Sequence, residues 1–121
     1  MKDLGLHLMF SSDAPIESNS PLEGIQAAVT RRGLRGEPPE SPWNKAQCLP
    51  LEHALKAYFS ESGWATGREE DFGSIVPGKR ADLTVLAKDP FRVPAEEIGE
   101  IPVSMTLVNG MVVFQRGNPS V

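Results

Sequence analysis

The 121-residue sequence predicts an α/β unit followed by an antiparallel β unit, and three observations carry that prediction. A nearly unbroken apolar run over 4–10 stands just before a turn and an amphipathic helix with strong start signals. Apolar residues recur at helical spacing over 51–59. From Gly73 the apolar period shortens to two, and Asn109-Gly110 separates two β-rich runs.

The opening run reads Leu4-Gly5-Leu6-His7-Leu8-Met9-Phe10. It is apolar on both faces, as a strand covered on both sides of a parallel sheet is. Ser11-Ser12-Asp13-Ala14-Pro15 then forms the exit from the strand. The helix that follows is signalled by Ser20 as cap, Pro21 at the first helical position and Glu23 completing a capping box. Leu22, Ile25, Ala28 and Val29 share one face, and Gly33 supplies the stop. Residues 33–47 hold Gly33, Gly36, Pro38, Pro39 and Pro42, the composition of a linker with Trp43 as its anchor. A second helix is expected from near Pro50 to Ser62, with Leu51, Ala54, Leu55, Tyr58 and Phe59 as its core stripe and Gly63 after it.

Beyond it, Gly73 and Gly78 suit turns with unusual dihedrals. Strands are expected over 81–87, 103–108 and 111–115, with a short helical turn over 94–98. Asn109-Gly110 is a hairpin turn, because both positions want positive φ. The chain thus divides into 1–33, 34–49, 50–72 and 73–121. Neither architecture is complete by itself: a parallel-type strand needs neighbours for its backbone groups, and three strands make half a sandwich.

A net charge of −4 provides no general basic field, so nucleic acid is not expected as a partner. Arg31, Arg32 and Arg35 form the densest basic cluster, and at a helix end they complement its dipole and face water. Cys48 is the only cysteine, which excludes an internal disulfide and suggests a buried or idle thiol. The apolar start is too short for a membrane span and lacks a signal-peptide layout, so a cytoplasmic protein is expected, with no membrane partner.

Three stretches, taken together, resemble the C-terminal region of the amidohydrolase superfamily. They are Phe10-Ser11-Ser12-Asp13-Ala14-Pro15 with the helix from Pro21 to Arg31, then Leu51-Glu52-His53-Ala54-Leu55-Lys56-Ala57-Tyr58, and then Gly73-Ser74-Ile75-Val76-Pro77-Gly78-Lys79-Arg80-Ala81-Asp82-Leu83-Thr84-Val85-Leu86, followed by Asp89-Pro90. The run from Met105 to Val113 extends the match. The branch resembled is amidohydrolase family 3, with its N-substituted formamide deformylase-like enzymes. The resemblance implies the last βα unit of a (β/α)8 metal-dependent hydrolase barrel, followed by a helix and the C-terminal part of a small β-sandwich, a composite domain.

It further implies hydrolysis of carbon–nitrogen bonds other than peptide bonds, on a small-molecule amide substrate, with a divalent metal such as zinc in the complete parent enzyme. Asp13 stands where these enzymes place the aspartate that ends the eighth strand, which would make it both metal ligand and catalytic proton carrier. The family's Gly-Ser-Asp at that strand end is departed from here by Ser11. Nothing matches the His-x-His pair or the middle-strand ligands. A chain with one βα unit is therefore expected to be an inactive fragment that holds no metal of its own. Its expected partner is the missing N-terminal barrel portion, or itself as a homo-oligomer. The competing reading is a stand-alone structural or interaction protein that self-associates without catalysis.

The local case for Asp13 is its place at the C-terminal end of an apolar strand, where barrel enzymes carry catalytic groups; an aspartate there also caps turns. His7 is expected as a hydrogen-bonded, partly buried core histidine and His53 as solvated surface. A hydrolase built on Asp13 with His7 has no nucleophile, and the two lie six residues apart. Lys79 and Asp82 read as a tempting charged pair, but the resemblance implies a place for them in the β-sandwich, away from the metal. Gly73, Gly78 and Lys79 are no phosphate cradle, since Arg80 and a strand follow where Ser or Thr and a helix belong.

Overall fold

The computed structural model describes residues 6–33 and 42–117. Among the described residues three α-helices, three 3-10 turns and three strands follow one another, with all three α-helices ahead of the first strand.

Helix α1 spans Pro21–Thr30. Pro21 opens it, as its fixed φ and missing N–H favour. The expected capping box does not form: Ser20 has the extended backbone of a cap, but its side chain makes no capping bond. Its own N–H donates instead to Ser18 Oγ at 3.2 Å. The helix ends at Arg31, ahead of Gly33, in the left-handed region with φ 54°, and the Arg31 N–H closes on Ala27 O at 2.8 Å. Trp43 anchors the segment beyond 42, though on the surface: the Arg31 guanidinium lies over its ring at 4.4 Å, and Trp43 N–H donates to Arg31 O at 3.1 Å. Arg35 and the linker glycines and prolines of 34–41 lie outside the described residues.

The helix expected over 50–62 is divided in two, α2 over Leu51–Tyr58 and α3 over Glu61–Ala65. At the break Ser62 Oγ donates to Phe59 O at 2.7 Å, a side-chain bond that competes with the helical ladder. Gly63 is not the stop but a buried residue inside α3. A Cβ there would stand 2.9 Å from Phe72 O, so only glycine lets the 68–72 turn cross so closely.

Strands β1 (Leu83–Leu86), β2 (Val103–Val108) and β3 (Met111–Gln115) form one antiparallel sheet in the order β1-β2-β3. Asn109 and Gly110 take φ 52° and 80°, as the hairpin signal requires. β1 is shorter than the expected 81–87. Asp82 turns its carboxylate to the Asn109 N–H at 2.6 Å, and Ala81 O accepts from Gly110 N–H at 3.0 Å, so these residues tie down the hairpin rather than extend the ladder. Gly73 and Gly78 have φ 93° and 94°, the turn role read from sequence.

The core lies between the two units. Leu22 and Ile25 of α1 meet Ala54 of α2 and, from the far end of the chain, Ile98 and Ile101 around the 3-10 turn Ala95–Glu100. Ile25 and Ile98 are the largest fully buried side chains. Gln26 joins the same contact as a buried polar residue, its Oε1 accepting from Gly99 N–H at 2.7 Å.

One expectation fails at the start. The described part of the 4–10 run, residues 6–10, is not a strand, and Leu6 and Met9 are 58% and 54% exposed. A strand of this kind exists only with paired neighbours. Here, among the described residues, the segment's backbone bonds to the rest of the chain come down to Phe10 N–H to Ala57 O at 3.1 Å. Leu4 and Gly5 lie outside the described residues.

Candidate functional site

The site begins where residues 6–10 run into the turn before α1. Asp13 is exposed and in the left-handed region, φ 52°. Its N–H donates to Ser11 Oγ at 3.3 Å and its carbonyl accepts from Ile16 N–H at 2.9 Å. Aspartate tolerates this backbone better than most side chains. The turn is thus held by its backbone and by Ser11, and among the described residues no hydrogen bond or ion pair engages the Asp13 carboxylate.

Beside the turn lies a cleft of about 580 Å³. Ser11, Ser12, Glu17, Arg32 and Tyr58 line it, together with the first turns of α1; Asp13 is not among its lining residues. Tyr58, read from sequence as a core residue, thus has two roles. Its ring packs edge-to-face on Phe10 at 5.5 Å, while burial pushes its hydroxyl pKa above the usual tyrosine value. The signal that could have found it is Gly24, a poor helix former in mid-helix. A side chain there would overlap the Tyr58 hydroxyl.

The two histidines meet at a second cavity, about 720 Å³, which both line with Leu8, Cys48, Leu49 and Glu61. His7 is not a core histidine. It is exposed, stacks on Trp64 with 4.0 Å between centroids, and pairs through Nδ1 with Glu61 Oε2 at 2.6 Å. The missing strand accounts for this: without it, nothing directs the ring inward. His53 departs from expectation in the other direction, half-buried, with its Nδ1 atom buried and unpartnered. Cys48 is a half-buried free thiol. His7 is therefore joined to Glu61 and not to Asp13.

Lys79 and Asp82 do not pair. Lys79 Nζ donates to the carbonyls of Glu69 and Phe72, and Asp82 meets Arg80 at 3.5 Å. Lys56 is held by Glu52 at 2.8 Å, and that hydrogen bond raises its pKa. Among the described residues no group of three or more His, Cys, Asp or Glu side chains is placed to hold a metal ion. Nor is any helix among them long and apolar enough to cross a membrane.

The turn that opens at the exposed Asp13, the helix after it and all but the last residue of the C-terminal sheet lie within the stretch that the family comparison covers. The model of the Amidohydrolase family matches residues 1–114, and the chain belongs to that family. It is 37% identical over 105 residues to the Bacillus subtilis (strain 168) protein named amidohydrolase YtcJ, covering 87% of this chain and 20% of that one. Identity to the N-substituted formamide deformylase of Arthrobacter pascens is 34% over 116 residues, 96% of this chain and 21% of that enzyme. An imidazolonepropionase of Chloroflexus aggregans (strain MD-66 / DSM 9485) is 32% identical over 114 residues, 93% of this chain and 24% of the enzyme. The chain spans about a fifth to a quarter of the length of these curated relatives. No solved structure is a significant match.

Proposed function

We propose that this chain is the C-terminal part of a metal-dependent amidohydrolase that hydrolyses carbon–nitrogen bonds other than peptide bonds in small amide-type substrates. It contributes Asp13 to the reaction and is inactive without the N-terminal barrel portion. The observation that carries the reading is the accessible Asp13 carboxylate on a bonded turn directly before α1, in a chain of this family. The names of the relatives support the bond class, since a formamide deformylase cleaves a carbon–nitrogen bond.

The residues present do not by themselves fit a metal. Zinc takes three or four protein ligands, and Asp13 has no such company among the described residues. The remaining ligands belong to the part of the enzyme that this chain lacks. What Asp13 supplies from this side is an acceptor-only carboxylate free to receive a proton and return it, the task of a general acid–base group. In the parent enzyme residues 6–10 complete the barrel as a strand once neighbours pair with them, and 73–121 completes the sandwich.

Fragment complementation tests this. The 121-residue chain alone should leave N-substituted formamides intact, and mixing it with a separately expressed N-terminal portion should restore hydrolysis. Asp13→Asn in the mixture should lower kcat by roughly 10²–10⁴. Hydrolysis by the chain alone, or full activity of the Asp13→Asn mixture, would sink the proposal.

A further inference from the structure

Among the described residues the hydrogen bonds of 11–19 stay within 11–20, so the Asp13 turn is tied to itself and its place in the molecule is set by its two flanks. Both flanks meet the segment 49–58. Leu49 N–H donates to Ala28 O at 3.0 Å, and Tyr58, the last residue of α2, reaches Gly24, one turn nearer the start of α1. On the other flank Phe10 N–H donates to Ala57 O at 3.1 Å. The Phe10 ring stands edge-on to the Tyr58 ring, with 5.5 Å between centroids and 70° between planes.

Phe10 lies three residues before Asp13 and Gly24 eleven after it, so the Tyr58 ring is wedged between the two ends of the turn. The fit on the α1 side is close. A Cβ at Gly24 would overlap the Tyr58 hydroxyl and stand 2.9 Å from the ring carbon that bears it, so the ring rests on bare helix backbone. Glycine is kept there at the expense of helix propensity. An aromatic ring suits a spacer, being a rigid plate of large contact area with few rotatable bonds.

We propose that Tyr58 is a positioning residue: by bracing Phe10 against Gly24 it fixes the separation of the two ends of the Asp13 turn, and so where the carboxylate stands. This rests on the proposed role of Asp13 and concerns how that residue is placed. The bracing contacts are all made inside this chain, so they do not depend on what covers its exposed surfaces.

Two readouts separate placement from mere stability. On the 121-residue chain, hydrogen exchange of the Ile16 N–H, whose acceptor is Asp13 O, reports on the turn itself. Tyr58→Leu removes the ring and should speed that exchange at least about threefold, with the amides of β2 and β3 unchanged. Tyr58→Phe keeps the ring and should stay close to the native rate. Gly24→Ala presses on the ring from the other side and should also speed the exchange. Adding Tyr58→Phe, which removes the overlapped oxygen, should reverse part of that gain. In the complemented mixture Tyr58→Leu should lower kcat roughly 10–100-fold and move KM less than about threefold, the pattern of a displaced catalytic group. On top of Asp13→Asn it should cost less than about twofold more, because nothing is left for it to place.

Unchanged Ile16 exchange in both Tyr58→Leu and Gly24→Ala overturns the proposal. So does faster exchange shared by β2 and β3, which would make Tyr58 a stability residue only. A raised KM with kcat intact overturns it as well, by assigning the Tyr58 hydroxyl to the substrate. Should the mixture prove inactive with the native chain, the proposed reaction falls, while the exchange pattern still decides for or against Tyr58.

Discussion

The hydroxyl of Tyr58 lies against Gly24, and its pKa is raised by burial. A tyrosine held neutral in the fold has a direct consequence for stability. Below about pH 10 both folded and unfolded chains keep the proton, so the contribution is constant. Above it the unfolded chain ionises first, and stability falls as the pH rises through the folded value. The urea midpoint should therefore be level near neutrality and decline on the alkaline side. Tyr58→Phe should reduce that decline; an identical alkaline slope in the two proteins would remove Tyr58 as its source. Asp13 belongs to the same scale. Its candidacy comes from the resemblance of the stretch around it to the family, since the local pattern, an acidic residue at the exit of an apolar run, fits a turn cap as well. The position of Tyr58 beside the same turn was not legible in the sequence, since the residue arrives from another helix.

At the scale of elements, local chemistry decided where the C-terminal hairpin falls, but not whether the apolar run at 6–10 would become a strand. The β2–β3 hairpin matches its expected residues because alternation and Asn109-Gly110 act within a few residues of each other. Gly110→Val should destabilise the chain by roughly 1–2 kcal/mol, the cost of an L side chain at positive φ, read as a lower urea midpoint with an unchanged slope. No loss would mean the turn adjusts to another type. The helix break at Phe59–Ser60 was not legible. The apolar stripe runs through it, and the bend depends on the Ser62 bond to Phe59 and on the 68–72 turn crossing Gly63. The capping box shows the same limit: Ser20 and Glu23 have the right spacing, but Ser18 takes the Ser20 N–H first.

At the scale of the whole molecule, the helical unit and the β unit are held together by α1 and the 3-10 turn at 95–100. The bond from Gly99 N–H to Gln26 spans 73 positions of the chain. Gln26 is 5% exposed, so removing its oxygen leaves the Gly99 N–H without a partner in a partly buried place. Gln26→Leu should cost roughly 1–3 kcal/mol. It should lower the signals of the helices and of the hairpin in one transition, whereas loss of the helical signal alone would mean the two units fold separately.

The sequence by itself determined the periodicities, the hairpin, the positive-φ turns and the family, because each of these is written in residues close along the chain. Only the tertiary structure decided that Gln26 would reach Gly99, that His7 would turn to Trp64 and Glu61, and that His53 would be half-buried. It also decided that, among the described residues, the apolar run ahead of Asp13 would form no strand over 6–10. A strand's apolar pattern records the burial it is suited to, but its hydrogen bonds are made by neighbours, and whether neighbours are present is not a property of the strand itself.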